Sequence, residues 1–326
     1  MMKPLLPLWL NRRKKRYKHS TPLVLIPGAF AVFSFCRIRQ ASGKGRRVRK
    51  RPGWREVCGR AGGKGALMEP IQSKDNSRVK EYAKLASSRK YREETGRFVL
   101  EGDKLFTEAL RSGVEVEQVL VTPAFRDAHP ELEEPLRGLT AFEVSGAAEG
   151  RLSLSKTPQG LYAVCKKLDK PENLAKIDCN GSYIGLWDLQ DPGNVGTILR
   201  GADAMRLSGV ILSENCCDLY NLKTIRAAMG SLFRVPVWTV DMAAFLRESG
   251  LRSYAAVVDP SAPSVETVDF RGSVAVIGNE GNGLSDGQAA ACSGRITIPM
   301  RGNAESLNAA MAATVLMWEM ARKGDV

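Results

Sequence analysis

Three stretches in the C-terminal half of this 326-residue sequence gather side chains suited to holding an anionic or hydroxyl-bearing ligand. Residues 191–206 read DPGNVGTILRGADAMR, residues 274–286 read VAVIGNEGNGLSD, and residues 296–322 read ITIPMRGNAESLNAAMAATVLMWEMAR. The first puts Asn194 after a Pro/Gly turn and Arg200 off the apolar side of the helix that follows, where Val195, Ile198, Ala202 and Met205 recur. The second surrounds Glu280 with glycines at 278, 281 and 283, which let backbone approach a bound molecule closely. The third is a short β-branched strand stopped by Pro299, a polar loop through Arg301, Gly302, Asn303 and Glu305, and a helix predicted to start at Ser306. Ser306 and Asn308 then stand beside the free backbone N–H groups of a first helical turn, which favours an anionic or carbonyl-bearing ligand. Read alone, Ser306 is more simply an ordinary N-cap.

Each stretch takes the chain from a strand into a loop, so the polar residues are expected together at the carboxyl ends of parallel strands, where open α/β sheets form crevices. Strands are predicted at 183–189, 209–212, 234–237, 253–258 and 274–277, several of them near-continuous apolar runs, as a parallel sheet covered on both faces requires. Leu307, Ala310, Met311, Thr314, Val315 and Trp318 recur at helical spacing, which predicts that this face of the last helix packs on the core.

The ordered set NVGTILR, GNEGNGLS and IPMRGNAESLN, spanning roughly residues 180–322, resembles the three motifs of the SpoU (TrmH-like) RNA 2′-O-ribose methyltransferases of the SPOUT class. The resemblance implies an α/β-knot methyltransferase domain, S-adenosylmethionine as methyl donor, a ribose 2′-hydroxyl in RNA as acceptor, and a homodimer. The knot follows from the resemblance alone, because threaded chains are rare. Asn194, Arg200, Glu280, Ser306 and Asn308 match the family's catalytic positions, and Gly278, Ile298 and Leu307 its cofactor positions. The family's proposed arginine base sits badly with a guanidinium pKa above about 12. Arg200 is therefore read as a phosphate clamp, with Glu280 orienting Arg200 or the ribose and Ser306 and Asn308 positioning the loop and the hydroxyl.

Competing classes fit less well. A Rossmann-type methyltransferase carries its Gly-rich loop after the first strand of the domain, whereas these glycines come late and in G-x-x-G-x-G order. A catalytically silent RNA-binding or ribosome-assembly protein on the same scaffold is expected to lack Arg200, Glu280 or Asn308, and all three are present. A small-molecule enzyme leaves the N-terminal domain, with its basic window, without a purpose.

That domain is predicted from residues 68 to 167, with a linker at 168–181 and the methyltransferase domain at 182–326. It reads as a smaller α/β unit: a helix opened by Asn76 with Val79, Tyr82 and Leu85 inward, a strand at 98–100, a second helix at 102–112 and a strand at 116–121. Its FVLEG segment resembles the L30e-like substrate-binding domain of the same family, which implies structured RNA as partner, ribosomal more than transfer RNA. Lys74, Arg78, Lys80, Lys84, Arg89, Lys90, Arg92 and Arg97 crowd one window of it. The cluster reads either as a solvated helix face or, except for Arg97, as candidate RNA contacts.

Net charge does not decide between these. The whole chain is +13, but residues 1–67 hold 18 of the 48 Lys and Arg and only one acid, Glu56, leaving 30 basic against 34 acidic residues, net −4, in the remainder. The leader is expected to be disordered, since it cannot bury enough apolar surface to offset its ordering entropy. It is open as an over-extended start ahead of Met68, an RNA-contacting tail or a targeting segment; its apolar run, broken by Pro27 and Gly28, is too short to span a membrane. If it is dispensable, a chain starting at Met68 should keep its melting temperature and methyl transfer. Loss of S-adenosylmethionine binding on truncation would place the leader in the fold.

Cys36, Cys58, Cys165, Cys179, Cys216, Cys217 and Cys292 form no C-x-x-C pair, which argues against a disulfide framework or zinc site and for a reducing, cytoplasmic compartment. Cys216 and Cys217 read as packing residues. His19 and His129 lie away from the motifs, so no metal and no histidine catalyst is expected.

Overall fold

The computed structural model describes residues 68–153, 157–168 and 177–323. The leader, and the linker reading over residues 169–176, lie outside them.

The first unit runs β1 (Glu69–Ile71), α1 (Ser77–Ser87), α2 (Arg89–Thr95), β2 (Arg97–Glu101), α3 (Asp103–Arg111), β3 (Val116–Val121), α4 (Pro123–Ala128), α5 (Glu133–Arg137), β4 (Ala141–Val144), α6 (Gly146–Leu152) and β5 (Leu161–Lys166). Its sheet has the order β1-β4-β3-β5-β2, with β1, β4 and β3 parallel and β5 antiparallel to both neighbours. Asn76 caps α1 by accepting from the Arg78 N–H at 2.9 Å, and Val79, Tyr82 and Leu85 are buried as their spacing predicts. The extra helix α2 has a local cause. Ser88 stands extended, ends α1 and accepts from the Tyr91 N–H at 3.2 Å, so one helical pattern is cut in two.

That break corrects part of the basic-face reading. Arg92 points inward and is only 3% exposed, with its guanidinium on the Leu85 and Ala86 carbonyls and 2.5 Å from Asp218. Arg97 is half-buried between Glu81 and Glu117. Neither is free to meet RNA.

The second unit runs β6 (Ser182–Leu186), α7 (Pro192–Ala204), β7 (Gly209–Ser213), α8 (Leu222–Ala228), β8 (Val237–Val240), α9 (Met242–Glu248), β9 (Arg252–Ala256), β10 (Ser273–Ile277), α10 (Asp286–Ala290), β11 (Gly294–Ile296) and α11 (Ala309–Lys323). Its sheet is parallel throughout, in the order β11-β9-β10-β6-β7-β8. β7 and β10 are buried at every residue, which explains their unbroken apolar runs. β8 begins three residues later than the apolar pattern predicts, because Pro236 has no N–H to give the ladder. One face packs under α7, α8 and α11, and the other, through Tyr183, Ile211, Trp238 and Val276, under α9.

Gly196 lets α7 and α8 touch: a Cβ there would lie 2.5 Å from both Ala227 Cβ and the Thr224 carbonyl oxygen. The two units are clamped by Arg92 on Asp218, Arg226 on Glu101 and Arg234 on Glu108, and by Phe98 against Tyr220 at 4.8 Å between ring centres.

The last helix differs from its prediction twice. It starts at Ala309, and its cap is Asn308, whose side-chain oxygen accepts from the Ala310 and Met311 N–H groups at 2.9 and 3.3 Å; Ser306 and Leu307 stay in the loop. Its core face is Ala310, Ala313, Leu316, Met317 and Met320, while Met311 and Trp318 are 61% and 59% exposed. The helix is apolar nearly all round, so spacing alone could not choose the buried stripe.

Candidate active site

The site is assembled at the carboxyl ends of β6, β9, β10 and β11. Asp191 caps α7, its Oδ1 accepting from the Asn194 N–H at 2.9 Å, and Pro192 at the first helical position needs no donor. Glu280, carried by the loop after β10, closes over this helix start. It accepts from the Asp191 N–H at 2.8 Å, the Gln190 N–H at 3.0 Å and the Asn194 side-chain amide at 3.1 Å. Asn308 then donates its amide to Asn194 Oδ1 at 3.2 Å. Three of the five expected catalytic residues thus form one chain, Glu280–Asn194–Asn308, drawn from two loops and the first turn of α7.

Partial burial pushes the Glu280 carboxyl up, but the hydrogen bonds from Gln190, Asp191 and Asn194 outweigh it and hold it below the usual glutamate value. It is ionised at neutral pH and acts as a fixed acceptor.

Arg200 lies elsewhere on α7. It is exposed, roughly 9 Å along the axis from Asn194 at the helical rise. No ion pair or hydrogen bond links it to Glu280 or to any other described residue. Glu280 spends its oxygens on the helix start, so it does not orient Arg200 as expected. Helical side chains lean towards the N-terminus, so this side chain leans towards the end of α7 that carries Asn194.

Beside the chain opens a cavity of about 480 Å³, within the roughly 300–1,000 Å³ of small-molecule sites. Gly278, Ile298 and Leu307, the three expected cofactor positions, line it together, and so does Ser306. The loop at its floor is tight: Asn279 and Gly283 exchange backbone hydrogen bonds at 3.0 and 2.9 Å, with Gly283 at φ 62°. A Cβ on Gly278 would fall 2.1 Å from the Gly283 carbonyl carbon, so only glycine fits. Aliphatic side chains such as Ile277, Leu284, Ile298 and Leu307 share the lining with polar groups including Asp259, Asp286, Arg295 and the Thr297 and Ser306 hydroxyls, a mixture that suits an adenosine-bearing cofactor.

Asp188 is a site residue that pattern did not flag. It holds φ 60°, unusual outside glycine. Its carboxylate accepts from Ser213 Oγ at 2.8 Å and Gln288 Nε2 at 3.1 Å, and its carbonyl from Gln190 Nε2 at 3.0 Å and Asn279 Nδ2 at 3.1 Å. It ties the Glu280 loop, α10 and the start of α7 together. Only its left-handed backbone hinted at this, and that is not visible in a sequence. The rim residues Val258 and Asp259, after β9, belong to none of the three motifs and were missed as well.

Residues 181–318 match the SpoU rRNA Methylase family, and residues 76–163 match the MRM3-like substrate binding domain. The Bacillus subtilis 23S rRNA (guanosine(2553)-2'-O)-methyltransferase RlmP is 33% identical over 260 residues, which cover 78% of this chain and 99% of RlmP. The chain belongs to the SpoU rRNA methylase family. The fold is similar to the AdoMet-bound rRNA methyltransferase of Sinorhizobium meliloti, with a TM-score of 0.68 and 30% identity over 78% of this chain and 98% of that one. It is also similar to the SpoU methyltransferase AviRb of Streptomyces viridochromogenes in complex with AdoMet, with a TM-score of 0.67 and 27% identity over 76% of this chain and 98% of AviRb. This SpoU enzyme is an RNA 2′-O-ribose methyltransferase, with S-adenosylmethionine as its methyl donor.

The expected RNA-facing residues of the first unit are only partly available. Lys74, Lys80, Lys84, Arg89 and Lys90 are exposed, though Lys80 pairs with Asp75 at 3.0 Å, Arg89 with Glu93 at 2.9 Å, and Lys84 sits 4.0 Å over the Tyr91 ring. Arg78 lies 3.9 Å over the Phe142 ring. Burial pushes the Cys216 thiol up and the Cys217 thiol up to about 12, and Cys216 donates to the Leu186 carbonyl, as packing residues do. His129 is stacked on Phe125 in the first unit, and no metal-holding group of His, Cys, Asp and Glu occurs among the described residues.

Proposed function

We propose that this enzyme methylates a ribose 2′-hydroxyl in 23S-type ribosomal RNA, with residues 68–167 holding structured RNA and residues 182–326 carrying the transfer. The observation that carries the reading is the Glu280–Asn194–Asn308 chain beside the cofactor cavity, with the unpaired Arg200 on the same helix. RlmP and the Streptomyces viridochromogenes 23S rRNA (uridine(2479)-2'-O)-methyltransferase, each alike over more than three quarters of this chain, support the target class.

S-adenosylmethionine supplies an activated sulfonium methyl when bound. Gly278, Ile298 and Leu307 hold that group through backbone and apolar contact. Asn194 and Asn308 fix the loops and present amides to the ribose, Ser306 places its hydroxyl at the cavity, and Glu280 keeps Asn194 oriented. Arg200 grips an RNA phosphate and sets the 2′-oxygen in line, the positioning on which most of the rate rests. Glu280 is too acidic to take the hydroxyl proton at neutral pH, so the proton leaves through water or the substrate phosphate.

Tritium transfer from labelled S-adenosylmethionine to separated 23S, 16S and transfer RNA tests this reading. Label in the 23S fraction, resistant to alkaline cleavage at one ribose, is expected. Label confined to transfer RNA would overturn the target, and no label would overturn the catalytic reading.

The enzyme is proposed to work as a cytoplasmic homodimer. Among the described residues, four of the five exposed large apolar ones are Met311 and Trp318 on α11 and Val258 and Met300 lining the cavity, surface that a second copy would cover. Sedimentation equilibrium should give a dimer at micromolar concentration, and Trp318→Glu should shift it towards monomer. A wild-type monomer would refute the assembly. No helix among the described residues is long and apolar enough to cross a membrane.

A further inference from the structure

Lys223 opens α8 and is 63% exposed at its side chain. Its ammonium lies 2.9 Å from Asp191 Oδ2, on the carboxylate that caps α7, and this bond together with the Asn194 N–H holds the Asp191 carboxyl below its usual value. Its stem runs along Gly193: a Cβ built there would stand 3.7 Å from Lys223 Cε. Lys223 is therefore one hydrogen bond removed from Glu280 and Asn194.

The arrangement poses an electrostatic problem. Asp191 and Glu280 bring two negative charges to the place where an anionic strand must lie, in a body that is net −4 outside residues 1–67. Arg200 offsets one of them. Arg226, one turn further along α8, is taken up by the buried Glu101 of the first unit. Lys223 is the cation paired directly with Asp191.

Its direction fits as well. On α7, Gly193 and Arg200 lie seven residues apart on one stripe, roughly 10 Å along the axis, and Gly196 between them faces α8. Lys223 and Arg200 thus flank the same edge of α7, at successive points along it. An ammonium has three donors, and Asp191 takes one.

We propose that Lys223 is a second phosphate-binding residue of the RNA site, holding a backbone phosphate next to the one gripped by Arg200. The inference rests on the reading of Arg200 as a phosphate clamp in an RNA methyltransferase. An exposed lysine on a phosphate adds affinity without base specificity and adds its share to the salt dependence of binding.

The test is the slope of log affinity against log salt for binding of a deproteinised 23S RNA transcript, with the full chain and S-adenosylmethionine present. Lys223→Gln should reduce the slope by about 0.7–0.9, as loss of one phosphate contact does. Lys223→Arg should restore it. The KM for RNA should rise several-fold in Lys223→Gln while S-adenosylmethionine affinity by calorimetry stays at the wild-type value. An unchanged slope with normal wild-type binding would overturn the proposal and leave Lys223 as the neutraliser of Asp191. A wild-type protein that neither binds nor methylates the RNA would instead overturn the enzyme's assigned target, and this proposal with it.

Discussion

Arg200→Ala and Arg200→Lys are both expected to lower single-turnover methyl transfer by about two to four orders of magnitude, the scale of a positioned catalytic group. Arg200 is the exposed cation of α7, unpaired among the described residues and leaning towards the N-terminal end of the helix. A planar guanidinium grips phosphate in two places, whereas an ammonium is a point charge, so lysine keeps the charge and loses the geometry. S-adenosylmethionine affinity should hardly change, because Gly278, Ile298 and Leu307 line a cavity that does not include Arg200. A true arginine base predicts a different pattern: Arg200→Lys would retain substantial activity that rises through the range where lysine titrates. An arginine merely facing solvent predicts near-normal turnover and a stability change under ~0.5 kcal/mol for either variant. Single-turnover rates across pH, with calorimetry for the cofactor, tell the three apart, and a fully active Arg200→Ala would sink the clamp.

Gly278→Ala should damage the cofactor site and spare the rest. The new methyl would meet the Gly283 carbonyl carbon and oxygen at 2.1 and 2.2 Å and the Leu284 nitrogen at 2.4 Å, all backbone atoms of a loop closed by its own hydrogen bonds. The loop must open, and overpacking of this kind costs about 1–3 kcal/mol. Charged against the bound state, that is roughly a 5–150-fold loss of S-adenosylmethionine affinity. Gly281→Ala is the matched control, since its methyl meets only the Asn279 side-chain oxygen at 3.5 Å and should bind within a factor of a few. Equal affinities for Gly278→Ala and wild type by calorimetry would show that the closed loop is not the bound form.

What could be read from residues was what local chemistry decides. A run of apolar residues bounded by glycine and proline becomes a buried strand wherever it packs, so β7 and β10 and the crevice at the carboxyl ends of the sheet were visible in the chain. The glycines around Glu280 were legible because close backbone approach demands glycine whatever its partner, while Gly278, Ile298 and Leu307 as cofactor positions came from the family motifs. The family motifs carried Asn194, Glu280 and Asn308 to one place as a group, though not their mutual contacts.

The partners were decided by the tertiary structure, because each contact joins residues far apart in sequence. Glu280 could equally have met Arg200; it takes the start of α7 instead, since two backbone N–H groups there have no other acceptor in the helix. Asp188 matters through Ser213, 25 residues away, and Gln288, 100 away. Arg92 turns inward because Asp218 of the other unit and two carbonyls of α1 satisfy its charge and donors, which its helix alone does not announce. On α11 nearly every side was apolar, and the choice fell to fit: Met317 fills the space left by Gly201 of α7, where a Cβ would stand 2.5 Å from its terminal methyl, and that contact turns Met311 and Trp318 outward. Periodicity states how much apolar surface a helix must bury, and only the shape of the neighbouring helix states which side.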